Sequence, residues 1–314
     1  MTTLTGVAAG LAAAAGWAGA SHLFARALER SRRDPNARPI SAPAANLFKN
    51  LLALAALASV AFLMGAEYPS GPRVGWLLLS GLAGFALGDA IYFAAFARCG
   101  VQPAAILGNL VPPLAALLAW WFLDDALPAW ALAGMSLSVA GIVLVIVDRG
   151  GSGPTKGGSE RWVGIGFAIA NSVLQAIAIT TGRVGLEDAD LLPGTVLRLI
   201  GGVLGALLIA ALTGARRGPR SMGGELSALL GPLSRSGTWR LLTVATLIGA
   251  VLNLPLHSLA MGGLSPGVSS ILFATTPLWT LPIGLRLGER YGWRTALGTL
   301  AAFGGVALVV MATR

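Results

Sequence analysis

Long uninterrupted runs of apolar residues, separated by shorter polar segments, make up most of this chain. About 20 apolar residues form a helix that crosses the hydrocarbon core of a bilayer, and the runs recur at that length. The pattern therefore predicts an all-α integral membrane protein with ten transmembrane helices. We place these helices at residues 4–25, 46–65, 74–97, 104–123, 128–147, 162–182, 193–214, 241–261, 267–285 and 293–311.

Composition supports a membrane location. Charged residues make up 11% of the chain, against about 25% in soluble proteins, and the 43 glycines suit helices that pack closely in lipid. The net charge of +9 comes mainly from basic residues in the loops. We therefore expect the bilayer and a small-molecule solute as partners, no nucleic acid, and a monomer rather than an obligate oligomer.

Metal and redox chemistry find little support in the sequence. Cys99 is the single cysteine, and His22 and His257 are the two histidines. This composition predicts no disulfide framework and no metal site, and no motif indicates a cofactor.

The chain divides almost in half at a Gly/Ser-rich segment, residues 148–161, which is predicted to be a flexible linker. We expect one five-helix repeat in residues 1–147 and a second in residues 162–314. Residues 26–45 and 215–240 are polar and are predicted to be long loops.

Four positions of the first half recur in the second half with the same spacings of 12, 9 and 7 residues. At a shift of 164, Pro113, Asp125, Gly134 and Gly141 correspond to Pro277, Glu289, Gly298 and Gly305. Because five is an odd number of helices, the second half enters the membrane from the opposite side. The repeats are therefore predicted to be inverted, a design that gives alternating access to a site near the midplane.

The repeated pattern of Pro, Asp or Glu, Gly and Gly resembles the EamA-type branch of the drug/metabolite transporter superfamily. The segments 17–19 and 88–96, together with Arg198, resemble parts of the same family. The resemblance implies a ten-helix exporter or exchanger of metabolites, often amino acids or related solutes, in the bacterial inner membrane.

The distribution of basic residues predicts an orientation. Of the 22 Lys and Arg residues, all but Arg73, Arg183, Arg198 and Arg314 lie on the side of the loops that follow odd-numbered helices. The positive-inside rule places that side in the cytoplasm and both termini outside. The family resemblance implies both termini inside, so the two arguments leave the orientation open.

Asp89 and His257 are candidates for proton coupling and for substrate binding. Asp89 lies well inside a predicted membrane helix, where a charge is costly and must face protein or water. His257 lies deep in the eighth helix, and an imidazole titrates near neutral pH. The alternatives are a structural partner for Asp89 and a neutral interhelical hydrogen bond for His257.

Seven further polar or aromatic residues within the predicted helices are candidates for substrate binding. They are Trp17, Tyr92, Asn109, Asn171, Gln175, Asn253 and Trp279. Each could contact a solute or instead pack against another helix. Pro113 and Pro277 are predicted hinges, because proline frees a backbone carbonyl and kinks a helix; the alternative is a kink that only improves packing.

Other prominent residues are predicted to be structural. Lys49 and Arg198 are expected to snorkel toward the headgroups. Asp125 and Glu289 are expected to begin the helices that follow them, where a negative charge suits the helix dipole. The four repeated glycines are expected to allow close helix packing.

These features favour a secondary active transporter that works by alternating access. The sequence has no Walker-type phosphate loop, which argues against direct ATP hydrolysis. The alternatives are a membrane-embedded lipid-modifying enzyme, a channel, or a membrane scaffold that transports nothing. An enzyme is disfavoured because no cluster of His, Asp, Ser or Cys stands out.

Overall fold

The computed structural model describes residues 3–33, 39–122, 128–147, 159–187, 189–217, 238–263 and 272–312. The regular elements within these ranges are all helical. We number them α1 (Thr3–Arg33), α2 (Ala42–Leu63), α3 (Pro72–Cys99), α4 (Val101–Phe122), α5 (Ala129–Val147), α6 (Ser159–Leu186), α7 (Leu191–Arg217), α8 (Thr238–Thr246, Leu247–Leu252 and Asn253–Gly263), α9 (Thr276–Arg286) and α10 (Trp293–Ala312).

Seven helices of the described ranges, α1 to α4 and α6 to α8, are long and apolar enough to cross a membrane. A shorter apolar stretch, Ala129–Val145, lies in α5. The prediction of an all-helical membrane protein is confirmed at this level, whereas the count of ten crossings stays a prediction.

The first predicted loop is partly helical, which corrects its boundary. α1 continues to Arg33, because Ala27 and Leu28 are buried there and Arg33 pairs with Glu29 one turn earlier. Residues such as Ala, Leu, Glu and Arg favour helix even when the segment is polar. Of the loop predicted at residues 215–240, residues 215–217 belong to α7 and residues 238–240 belong to α8. Residues 218–237 lie outside the described ranges.

Two helices contain a π-helical turn at matching places. Leu82–Gly88 lies in the middle of α3 and Leu247–Leu252 in the middle of α8. The residues that follow them, Asp89 and Asn253, are 164 positions apart, which is the shift of the sequence repeat. The wider turn leaves backbone carbonyls without their usual helical partners, so other side chains must satisfy them in a membrane interior.

The predicted hinge prolines both follow a break in regular helix. In α4 a short 3-10 turn, Gly108–Leu110, precedes Pro113. Pro277 lies in the first turn of α9, directly after a turn at residues 274–275. Whether these breaks move during a functional cycle stays a prediction.

Helices of one half pack mainly against helices of the other. α5 packs against α10, α2 against α7, α1 against α8 and α9, and α6 against α3 and α4. When each helix is replaced by its equivalent in the other half, every one of these pairings gives another of the set or itself. The two halves therefore pack against each other along many helices and do not form separate units.

Glycines make the contact between α5 and α10 possible, as predicted. A Cβ added to Gly141 would lie 2.5 Å from the carbonyl oxygen of Gly298, and one added to Gly305 would lie 2.5 Å from that of Gly134. Both distances are far below van der Waals contact, so the two backbones touch. Residue numbers rise along one helix as they fall along the other, which makes the pair antiparallel.

Gly305 and its neighbour Gly304 give a matched test of this contact. A Cβ at Gly305 would lie 2.3 Å from the Ser138 nitrogen, whereas one at Gly304 would meet only Leu137 at 3.9 Å. We expect Gly305→Ala to destabilise the protein by about 1–3 kcal/mol through overpacking. Gly304→Ala should be neutral or slightly stabilising, because alanine favours helix by up to about 1 kcal/mol. Thermal unfolding in detergent measures both, and equal effects of the two variants would contradict the contact.

Candidate functional site

A buried ion pair lies at the centre of the bundle. The Lys49 ammonium of α2 donates a hydrogen bond to Oδ2 of Asp89 in α3, and both residues are only 4% exposed. The prediction that Lys49 snorkels to the headgroups is therefore wrong. An internal carboxylate is a better partner than distant headgroups, because an unpaired charge inside a membrane protein is expensive.

The π-helical turn of α3 is held by amides from two neighbouring helices. The Asn46 side-chain amide donates to the carbonyl oxygens of Phe85 at 2.7 Å and Ala86 at 3.1 Å, and Asn50 donates to Phe85 at 2.8 Å. From α6, Gln175 donates to Oδ1 of Asp89 at 3.0 Å. Asp89 is therefore fixed by Lys49 on one oxygen and by Gln175 on the other.

Arg198 of α7 approaches the same turn from another direction. Its Nε donates to the hydroxyl of Ser80 at 2.9 Å, and its guanidinium lies 4.8 Å from the centroid of the Phe85 ring. The Lys49 ammonium lies 5.6 Å from the same centroid. Arg198 thus points into the bundle, and the prediction that it snorkels is also wrong. We call Lys49, Phe85, Asp89, Gln175 and Arg198 the central cluster.

Several predicted site residues adjoin the central cluster. The rings of Trp17 and Tyr92 are stacked, with centroids 6.5 Å apart and an angle of 8° between their planes. Tyr92 lies one turn after Asp89, and Asn171 lies one turn before Gln175 on α6. The buried Oδ1 of Asn171 has no hydrogen-bond partner among the described residues. The structure thus gathers Trp17, Asp89, Tyr92, Asn171 and Gln175 in one region.

The other predicted residues lie elsewhere. Asn253 is buried and donates to the carbonyl of Ala13 at 2.6 Å. The half-buried His257 ring packs against Phe273 at 4.9 Å. Asn109 is buried in the 3-10 turn of α4, and Trp279 is 38% exposed on α9. Among the residues that the structure describes, no hydrogen bond, ion pair or ring contact joins these side chains to Asp89, so their roles stay predictions.

Glycines at equivalent places bring α3 and α8 close to the first helix of the other half. A Cβ at Gly84 would lie 2.9 Å from Ala178 and 3.2 Å from the Gln175 side chain. One at Gly249 would lie 2.5 Å from Ala20 and 3.4 Å from the Trp17 ring. Trp17 therefore occupies, against α8, the position that Gln175 occupies against α3.

A second polar network lies where α1, α4, α9 and α10 meet. His22 is within 3.5 Å of Glu289 and 3.3 Å of the Thr280 carbonyl, and the Thr280 hydroxyl donates to the Gln102 side chain. Glu289 also accepts a hydrogen bond from Tyr291. It does not begin α10, which starts at Trp293. The prediction that Glu289 begins the following helix is therefore wrong. Asp125, for which the same role was predicted, lies outside the described residues.

The surroundings of Glu289 favour its charged form. Burial alone raises the pKa of this carboxyl, but the hydrogen bonds with His22 and Tyr291, helped by the charge of Arg26, outweigh it and hold the pKa below its usual range. Burial and the bond to Glu289 raise the pKa of Tyr291. This network therefore ties the α9–α10 connection to α1 through a carboxylate.

Sequence reasoning missed several polar groups that the fold places together. Asn46, Lys49 and Asn50 share one face of α2 at spacings of three and four residues. A polar stripe of this kind on an apolar helix indicates an interior face, and it was the available signal. Within the described ranges no three His, Cys, Asp or Glu side chains could hold a metal ion.

A bundle of membrane-length helices with charged groups in its interior defines a polytopic membrane protein with a polar centre. The sequence model of the EamA-like transporter family matches residues 4–147 and 162–311. The chain therefore belongs to the EamA-like transporter family, within the drug/metabolite transporter superfamily.

The structural comparison agrees on the fold. One solved structure, titled only as the crystal structure of a protein, aligns with a TM-score of 0.59 at 16% identity. The alignment covers 98% of this chain and 96% of the other. At this identity the likeness concerns the fold alone. Comparison with curated proteins gave no match.

The buried pair can be tested by a double-mutant cycle. Lys49→Met or Asp89→Asn alone should destabilise the protein by about 3–5 kcal/mol, because each leaves the partner charge buried and uncompensated. The double variant should lose less than the two single losses combined. Arg33→Gln, in the exposed Arg33–Glu29 pair, is the control and should cost under about 1 kcal/mol. Additive losses at Lys49 and Asp89 in thermal unfolding would contradict the pairing.

Glu289 should make stability depend on pH. The pKa of Glu289 is lowered on folding, so its stabilising contribution to the free energy of unfolding is complete at neutral pH. This contribution is lost as the pH falls below 4.5, the pKa in the unfolded chain, and then through the lower pKa of the folded protein. Glu289→Gln should therefore melt below wild type at pH 7, with a smaller difference at pH 3.5. Glu67→Gln, at an exposed carboxyl, is the control. A difference that stays constant with pH would refute this assignment.

Proposed function

We propose that this protein is a secondary active transporter that carries a small metabolite, such as an amino acid or a related solute, by alternating access. The observation that supports this most is the buried Lys49–Asp89 pair beside a π-helical turn. Charged groups inside membrane helices are kept where solutes or ions pass. π-helical turns are frequent at functional sites.

Alternating access requires two related conformations, and inverted repeats supply them. The antiparallel α5–α10 contact supports this arrangement. Gly134 and Gly298 are equivalent in the sequence repeat, as are Gly141 and Gly305, yet the contacts join Gly141 to Gly298 and Gly134 to Gly305. Such reciprocal contacts are typical of a two-fold axis between equivalent elements. In our proposal each half has five crossings and the second is inverted.

Asp89 and His257 serve in proton coupling in this proposal. Lys49 and Gln175 each bind one oxygen of Asp89, so a change in the protonation of Asp89 would release or recruit the Lys49 ammonium. Pro113 and Pro277 act as hinges next to the helix breaks of α4 and α9. Asn109, Asn253 and Trp279 would join the solute path in another conformation.

The same proposal places the protein in the bacterial inner membrane. The basic loops would face the cytoplasm. This location supplies the proton gradient that a coupled carrier needs.

The test is solute flux in proteoliposomes that contain the purified protein. Vesicles preloaded with unlabelled amino acids should take up labelled amino acids with saturation and counterflow. In preparations that remain folded, Asp89→Asn and His257→Ala should keep counterflow but weaken the response to a pH gradient, whereas Glu67→Gln should behave as wild type. Flux without saturation would favour a channel. Absence of flux together with lipid turnover would favour an enzyme.

A further inference from the structure

The central cluster carries one more positive charge than negative charge. Lys49 and Asp89 neutralise each other in a pair that is almost inaccessible. Arg198 remains, and no carboxylate of the described residues forms an ion pair with it. Its guanidinium is held by one hydrogen bond to Ser80 and by the Phe85 ring.

Arg198 also differs from Lys49 in accessibility. It is half-buried, whereas Lys49 is buried. It lies seven residues after the first residue of α7, Leu191, which corresponds to about 10 Å along a helix. A guanidinium at this depth is too far inside to rely on headgroups, and the residue as a whole is not fully buried.

From this arrangement we propose that Arg198 is the specificity-determining residue that binds the carboxylate of the transported solute. The planar guanidinium matches a carboxylate with two parallel hydrogen bonds. The Ser80 hydroxyl uses Nε, which leaves the terminal Nη groups for the anion. The bound anion supplies the countercharge that Arg198 lacks. This inference rests on the proposed transport function and names its substrate class.

Two kinds of solute carry this group, a simple organic acid and a zwitterionic amino acid. Buried amide oxygens of Asn46, Asn50 and Asn171 lack hydrogen-bond donors among the described residues, so an amino group would also find acceptors here. The chemistry that the two kinds share is the carboxylate. Propionate, alanine and propionamide differ only by the amino group or by the charge, and they separate the two cases.

The experiment is a thermal-shift titration of the purified protein with each of these three probes at constant ionic strength. Propionate, alanine or both should raise the melting temperature of wild type, and propionamide should not, since a ligand that binds the folded state stabilises it. Arg198→Gln should weaken the binding of the effective probe by about 10- to 100-fold, the loss expected for a hydrogen bond to a charged group. Arg183→Gln, at an exposed arginine of α6, is the control and should bind as wild type.

Arg198→Lys covers the case in which Arg198→Gln does not fold, because it keeps the charge but loses the planar pair of donors. It should bind the effective probe more weakly than wild type and more tightly than Arg198→Gln. A shift by propionate alone identifies an organic-acid site, and a shift by alanine alone identifies a zwitterion site. Equal shifts by propionamide, binding that is unchanged in the Arg198 variants, or no shift by any probe would overturn the proposal. Because binding is measured without flux, failed counterflow with intact binding would reject transport and leave the carboxylate site standing.

Discussion

A membrane interior offers no water to backbone or side-chain polar groups, so every such group must find its partner within the protein. The centre of this bundle is organised by that constraint. Widening α3 into a π-helical turn exposes carbonyl oxygens, and amides of α2 satisfy them. The carboxylate that follows the turn is held by Lys49 and Gln175. Three helices are thereby fixed around one irregular turn.

Close packing meets the same constraint in a different way. Where α5 and α10 cross, and where α3 approaches α7, glycines replace side-chain contact by direct backbone contact. Dispersion between backbones can hold helices together in lipid, where the hydrophobic effect cannot. The polar contacts at the centre fix the helices around the site. The glycine contacts join helices of the two halves.

Hydropathy was sufficient to predict the helical membrane fold, because a bilayer imposes a length on every crossing. The family was predicted from the repeated pattern of Pro, Asp or Glu, Gly and Gly. Hydropathy failed at the first loop, where the polar continuation of α1 is still a good helix. The candidate site could be predicted only in part. Asp89, Tyr92, Asn171 and Gln175 stand out as polar groups in apolar helices, and the fold brings them together.

Lys49 and Arg198 were wrongly predicted to snorkel, because the direction of each side chain depends on tertiary contacts. The position of a cation seven residues inside a helix does not by itself decide whether its side chain turns outward or inward. The presence of Asp89 and Phe85 on a neighbouring helix decides the direction. Such contacts span 40 or more positions of the chain. The stripe of Asn46, Lys49 and Asn50 was a local sign of the interior face of α2, but it does not identify the partner.

The two π-helical turns differ in length, and this bears on how the two halves correspond. Leu82–Gly88 spans seven residues and Leu247–Leu252 spans six. Gly84 matches Gly249 at an offset of 165, whereas Asp89 matches Asn253 at 164. The turn of α3 therefore holds one residue more than the turn of α8. A π-helical turn can accommodate a single inserted or deleted residue, so that the register of the rest of the helix is unchanged.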